Sequence, residues 1–158
     1  MEDLKIKIFN DIGESKAVES LLAKSFVEHR RLNSTDLAQA QVEFRHIFFL
    51  NGLKEVVNHI PKKEKIPKII NLILLTFASV DFVLDEKEAF VLYHLRDLGK
   101  FRLKDEKLFH KLEESMHLHP EYKLELTELR NILKELKNIK LLNYRRGTTT
   151  INTSVMVS

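Results

Sequence analysis

Three clusters of side chains in this 158-residue chain have types and spacings that could do chemistry. In FASVDFVLDEKEAF (77–90) an apolar run stops at Asp81, and Asp85, Glu86 and Glu88 follow closely. A hard cation needs several oxygens converging at about 2.0–2.6 Å. Asp81, Asp85 and Glu88 would supply three of them to Ca²⁺ or Mg²⁺ if the turn folds back. The structural reading of the same residues is a helix start. Asp85 suits the N-cap and Glu88 the N3 position, a capping box with Asp in place of Ser or Thr, while Asp81 ends the preceding helix.

The second cluster lies in the last 33 residues. Positions 130, 134, 137, 140, 145 and 146 are basic, against Glu128 and Glu135. Arg130, Asn131, Lys134, Lys137 and Asn138 share the outer face of a predicted helix over 126–140, whose apolar stripe is Leu126, Leu129, Ile132, Leu133, Leu136 and Ile139. Leu142 and Tyr144 alternate before Arg145-Arg146-Gly147, and Ile151, Thr153, Val155 and Val157 alternate after it, which predicts a β-hairpin with a basic tip. Such a helix fits the DNA major groove, where Arg and Asn read base edges while arginines touch phosphate. The structural reading is a solvated helix face and an ordinary polar turn.

The third cluster is His117-Leu-His119 with His110 nearby. It has the ring nitrogens for zinc, but no HExxH accompanies it and the chain has no cysteine. No GxSxG, P-loop or GxGxxG is present either, so a non-enzymatic role is expected.

These residues need elements to hold them. Four Gly and three Pro leave little material for a turn-rich β fold, and 44% apolar with 31% charged residues is globular composition. The length suits a single domain over 1–158. The net charge of +3 arises from intermixed signs, so any basic patch is local. The absence of cysteine and of a signal-peptide pattern in MEDLKIKIFNDIG leads to the expectation of a cytoplasmic protein. IINLILLTFASV (69–80) falls short of the roughly 20 residues of a membrane span and reads as a buried helix over about 68–80.

Before it, Leu4, Ile6 and Ile8 alternate as a short strand would, and Val18, Leu21, Leu22 and Phe26 have helical spacing. Ser34 or Thr35 would cap a helical segment containing Leu37, Val42, Phe44, Phe48 and Phe49, which Gly52 kinks or ends. PKKEKIP (61–67) reads as a connector. After the 68–80 helix, Phe90, Val91, Leu95 and Leu98 form an apolar face that Gly99 closes. Asp105-Glu106-Lys107 repeats the helix-start chemistry of Asp85-Glu86-Lys87, and HLHPEYKLEL reads as a loop or short strand. The sum is a mainly α fold of about six helices with a C-terminal hairpin, completed by the N-terminal strand or a covering helix.

The segment ASVDFVLDEKEAFVLYHL resembles the helix, acidic turn and helix of tellurite-resistance TerB-like proteins. Asp81 stands at the Asp of that pattern, Val83 and Leu84 at its apolar step, Asp85 at the cap and Glu88 at the late glutamate, while Phe82 replaces its Gly. The resemblance implies an all-helical interaction domain with acidic residues that hold a divalent cation. It calls for a protein partner and an exposed apolar patch, for which Phe44, Phe48 and Phe49 are the candidates. The alternative is carried by the C-terminal residues, which resemble the recognition helix and wing of winged-helix nucleic-acid-binding proteins.

Overall fold

A computed structural model describes residues 2–12, 15–30, 40–97 and 102–157. Seven α-helices and six strands are described, so the chain is mainly α, with one helix more than expected. The expected features at Ser34, Thr35, Leu37, Leu98 and Gly99 lie outside the described residues.

The N-terminal strand is not formed: Glu2–Ile12 is a helix, α1. Leu4 and Ile8 are four apart as well as members of an alternation, so a helix buries both on one side and leaves Ile6 51% exposed. α2 (Ser15–Ser25) then yields to β1 (Phe26–Arg30), which pairs antiparallel with β2 (Ala40–Phe44). Helical spacing reaches as far as Phe26, but the aromatic pair decides otherwise. Phe26 opposes Phe44 in register, and their rings stack at 4.7 Å.

α3 (His46–Val56) runs through Gly52 without a break. A Cβ there would run into the Leu21 side chain, so this glycine serves the close approach of α2 to α3 rather than a turn. α4 (Lys62–Ala78) begins six residues earlier than expected, with Pro61 as its N-cap and Pro67 inside it. Pro67 lacks the N–H that would bond the carbonyl of residue 63. Lys63 is exposed at this first turn, where Glu64 and Lys65 both donate to Pro61 O, at 3.0 and 3.1 Å.

α4 ends in a Schellman motif. Phe82 N donates to Phe77 O at 2.9 Å and Asp81 N to Ala78 O at 3.1 Å, with Asp81 in the left-handed region at φ 63°. Phe82 and Phe77 make the accompanying apolar contact, ring centroids 6.2 Å apart. α7 (Leu126–Asn138) ends the same way: Leu141 N donates to Leu136 O, Lys140 N to Lys137 O, and Lys140 has φ 66°.

From α5 (Glu86–Leu95) onward the connectivity is helix, strand, helix, helix, strand, strand. β3 (Leu103–Lys104) leads into α6 (Asp105–Leu118), a single 3₁₀ turn (Pro120–Tyr122) and α7, followed by β4 (Leu142–Arg145) and β5 (Thr148–Ile151). The segment 117–126 is therefore a helix end and a tight turn, not a strand. Tyr122 fixes it by stacking on Phe90 at 5.1 Å. β4 and β5 form the expected hairpin, joined by the two residues Arg146 (φ 51°) and Gly147 (φ 70°), the backbone of a type I′ turn. Its third strand is β3, giving the order β3-β5-β4.

The last strand leaves the hairpin. β6 (Val155–Val157) pairs with β2, making the second sheet β1-β2-β6. The chain end thus ties the N-terminal part to the C-terminal part. Between them the core is continuous, with Phe44, Phe49, Phe77 and Phe90 all buried. His46 belongs to it: its Nε2 donates to Leu141 O at 3.2 Å, and burial lowers its pKa to about 4. No helix among the described residues is long and apolar enough to cross a membrane.

Candidate nucleic-acid interface

α7 is the most strongly two-sided helix described. Leu129, Ile132, Leu133 and Leu136 are buried, and Thr127, Asn131, Lys134, Glu135, Lys137 and Asn138 are exposed. The helical period then divides the polar side. Glu128 and Glu135 lie on one flank, Arg130, Lys134 and Lys137 on the other, with Asn131 and Asn138 between them.

The acidic flank is engaged by α5. Lys87 Nζ donates to Glu128 Oε1 at 2.8 Å, and Glu88 shares a hydrogen bond with Glu135. Burial, and after it the hydrogen bond with Glu135, raises the Glu88 pKa to about 7. The negative charges of α7 are therefore held against α5, away from the basic flank.

At the basic flank the structure reassigns one residue. Arg130, a base-reading candidate by sequence, donates from Nε to Asp105 Oδ2 at 3.0 Å and approaches Glu106 Oε1 at 3.6 Å. Asp105 is only 2% exposed, so its acidic group needs this partner more than solvent needs the guanidinium. The same oxygen accepts from Tyr144 Oη at 2.7 Å, and Asp105 N donates to Gly147 O at 3.0 Å. Burial and the hydrogen bond to Asp105 push the Tyr144 hydroxyl up to about 12, so it stays a donor. Arg130 thus anchors α7 to the start of α6 and to the hairpin.

Neither Asp105 nor Tyr144 stood out in sequence. The repeated Asp-Glu-Lys was the available signal for Asp105, but helix-start chemistry explains it without a partner. Its partners are 25 and 39 residues away.

The remaining candidates are free of such duty. Asn131, Lys134 and Lys137 are exposed on α7, and Arg145 and Arg146 are exposed at the hairpin turn. The turn is fixed to α6 through Gly147, and α6 to α7 through Arg130, so both basic elements have a set relation. Arg146 closes one side of a cavity of about 450 Å³ whose other walls include Asp105, Arg130 and Tyr144.

The acidic corner is arranged for helix capping. Asp85 Oδ1 accepts from Glu88 N at 2.8 Å, and Glu88 Oε2 accepts from Asp85 N at 2.8 Å, a complete capping box. Asp81 sits in the Schellman turn that precedes it. Among the described residues no three His, Asp or Glu are gathered as a metal ion requires. His117 is exposed, His119 faces Glu121 at 3.5 Å, and His110 faces Glu113 at 3.0 Å.

The aromatic patch is also corrected. Phe44 and Phe49 are in the core, and only Phe48 is exposed, at 47%. The density of phenylalanines reflects a strand meeting a helix at Arg45. Phe44 points inward from β2, while Phe48 and Phe49, adjacent on α3, diverge by about 100°.

Searches among protein families, curated proteins and solved structures give no match to this chain.

Proposed function

We propose that residues 86–151 act as a winged-helix-type unit that binds duplex nucleic acid, without enzymatic activity. α7 enters the major groove and the Arg145–Arg146 turn meets the neighbouring backbone. The observation that carries this reading is the β3-β5-β4 strand order beside α5, α6 and α7, with the basic flank of α7 and the basic turn fixed to one another through Asp105. The helix before α7 is α6, and the single 3₁₀ turn between them lies where sequence suggested a loop or short strand.

Phosphate contacts release counterions, so affinity should fall linearly in log–log form with salt, by a slope of about −0.9 per phosphate neutralised. Fluorescence anisotropy of a labelled duplex, titrated with the full chain at low and then rising salt, tests it. Measurable affinity at low salt that collapses at high salt is the expected result. No affinity at low salt would end the reading. It would favour the competing proposal, a TerB-like protein-interaction domain centred on 68–98 and supported by the α4–α5 corner, for which capture of a protein partner is the test.

A further inference from the structure

The outer face of the β3-β5-β4 sheet shares Arg145 and Arg146 with the turn contact just proposed and extends beyond it, and its composition is one-sided. Along β4, Leu142 and Tyr144 point inward and Asn143 and Arg145 outward; along β5, Thr149 and Ile151 point inward and Thr148 and Thr150 outward. Arg145 opposes Thr148 and Asn143 opposes Thr150. With Arg102 and Arg146 these four side chains line an open groove of about 480 Å³.

The groove offers three guanidiniums, two hydroxyls and one amide, and no carboxylate among the residues lining it. Arg102, Arg145 and Arg146 form no ion pair with any described residue, in contrast to Arg130, whose charge is answered by Asp105. Three like charges line this one groove, an arrangement that an anion joining them would stabilise. Arg146 also occupies a left-handed position, φ 51°, where Asn, Asp or Gly would meet the type I′ turn with less strain.

We infer that this sheet face binds a chain of phosphates, running from Arg146 across Thr148 and Thr150 toward Arg102. Guanidiniums grip phosphate oxygens through paired N–H donors, and threonine hydroxyls and the Asn143 amide add neutral donors between them. Outward positions on a strand are about 7 Å apart and neighbouring strands about 4.8 Å, which suits successive anionic groups rather than one. Arg146 borders both this groove and the cavity beside Arg130, so the α7 surface and the sheet face are contiguous. The nucleic-acid identity of the phosphate chain rests on the function proposed above; the anion chemistry of the face does not.

Two probes separate them: sodium tripolyphosphate, which has no bases, and a short DNA duplex, each titrated into the ¹⁵N-labelled full chain. Tripolyphosphate should shift the amides of Asn143, Arg145, Thr148 and Thr150. Arg102→Gln should weaken both ligands by roughly 3- to 10-fold and reduce the duplex salt slope by about one. Far-UV circular dichroism checks that the variant keeps its fold. Tripolyphosphate bound at the sheet with no duplex affinity would uphold the face and end the duplex reading. Duplex binding that leaves the sheet amides unmoved and is indifferent to Arg102→Gln would overturn the face alone. No response to either probe would overturn both.

Discussion

Arg130 Nε and Asp105 Oδ2, 25 residues apart in the chain, meet at 3.0 Å where α6 begins and α7 passes over it. This pair gives Arg130 a structural duty that its neighbours on α7 lack. Arg130→Ala would leave a buried acidic group short of its cationic partner. The expected loss is about 1.5–3 kcal/mol, read as a lower urea midpoint at unchanged slope. Lys134→Ala, on the same flank but exposed, should stay within about 0.5 kcal/mol while lowering duplex affinity. Equal stabilities for the two variants would refute the division of roles.

Tyr144→Phe removes the second donor to the same oxygen and nothing else. A loss of roughly 1 kcal/mol is expected by denaturant titration. A neutral result would mean that Arg130 alone satisfies Asp105.

Asp81 and Lys140 hold the same position in two Schellman turns, at φ 63° and 66°. Glycine fits that conformation without a Cβ penalty, so Lys140→Gly should raise the thermal midpoint, by the equivalent of up to about 1 kcal/mol. Asp81→Gly should gain less, because Asp tolerates the left-handed region better than Lys. Asp85 and Glu88 are already joined in the capping box, so millimolar Ca²⁺ or Mg²⁺ should leave the melt of the unaltered chain where chelator leaves it. A raised midpoint with metal would show a cation bound by the folded chain, as the resemblance implies.

Burial of Glu88, with its hydrogen bond to Glu135, makes stability depend on pH. The Glu88 pKa rises from 4.5 to about 7, so between those values the folded chain holds a proton that the unfolded chain has released. The resulting stability is fully present below about 4.5 and is lost as pH rises through 7. Asp85 and Glu135 both face Glu88, and their negative charge works in the same direction. Glu135→Gln should flatten the decline of the thermal midpoint between about pH 4.5 and 7 relative to the unaltered chain. Parallel curves would show that the two carboxyls do not share a proton.

His46 runs the other way. Burial depresses its pKa from 6.5 to about 4, so its contribution is present above 6.5 and is lost as pH falls through 4. An imidazole titration followed by NMR should show His46 neutral at pH 6. Protonation near 6.5 would contradict its packing between Phe44 and Phe77.

What could be read locally was legible in advance. The capping box at Asp85 and Glu88 needs only three residues of spacing, the stripe of α7 only one helix, and the Arg145-Arg146-Gly147 turn only its neighbours. These features are set by propensity and periodicity, which act over a few residues. Two misreadings fell where two local patterns coincide. Leu4 and Ile8 satisfy both a strand and a helix, and Phe26 continues a helical stripe while stacking on a strand partner. Only burial against the rest of the chain separates such alternatives.

The candidate site divides along the same line. That residues 126–158 are basic follows from sequence alone. Which cations are free was decided by the tertiary structure, because ion pairing depends on contacts across tens of residues. Asp105 takes Arg130, α5 holds Glu128 and Glu135, and β5 sets Arg145 and Arg146 beside Arg102 on one face.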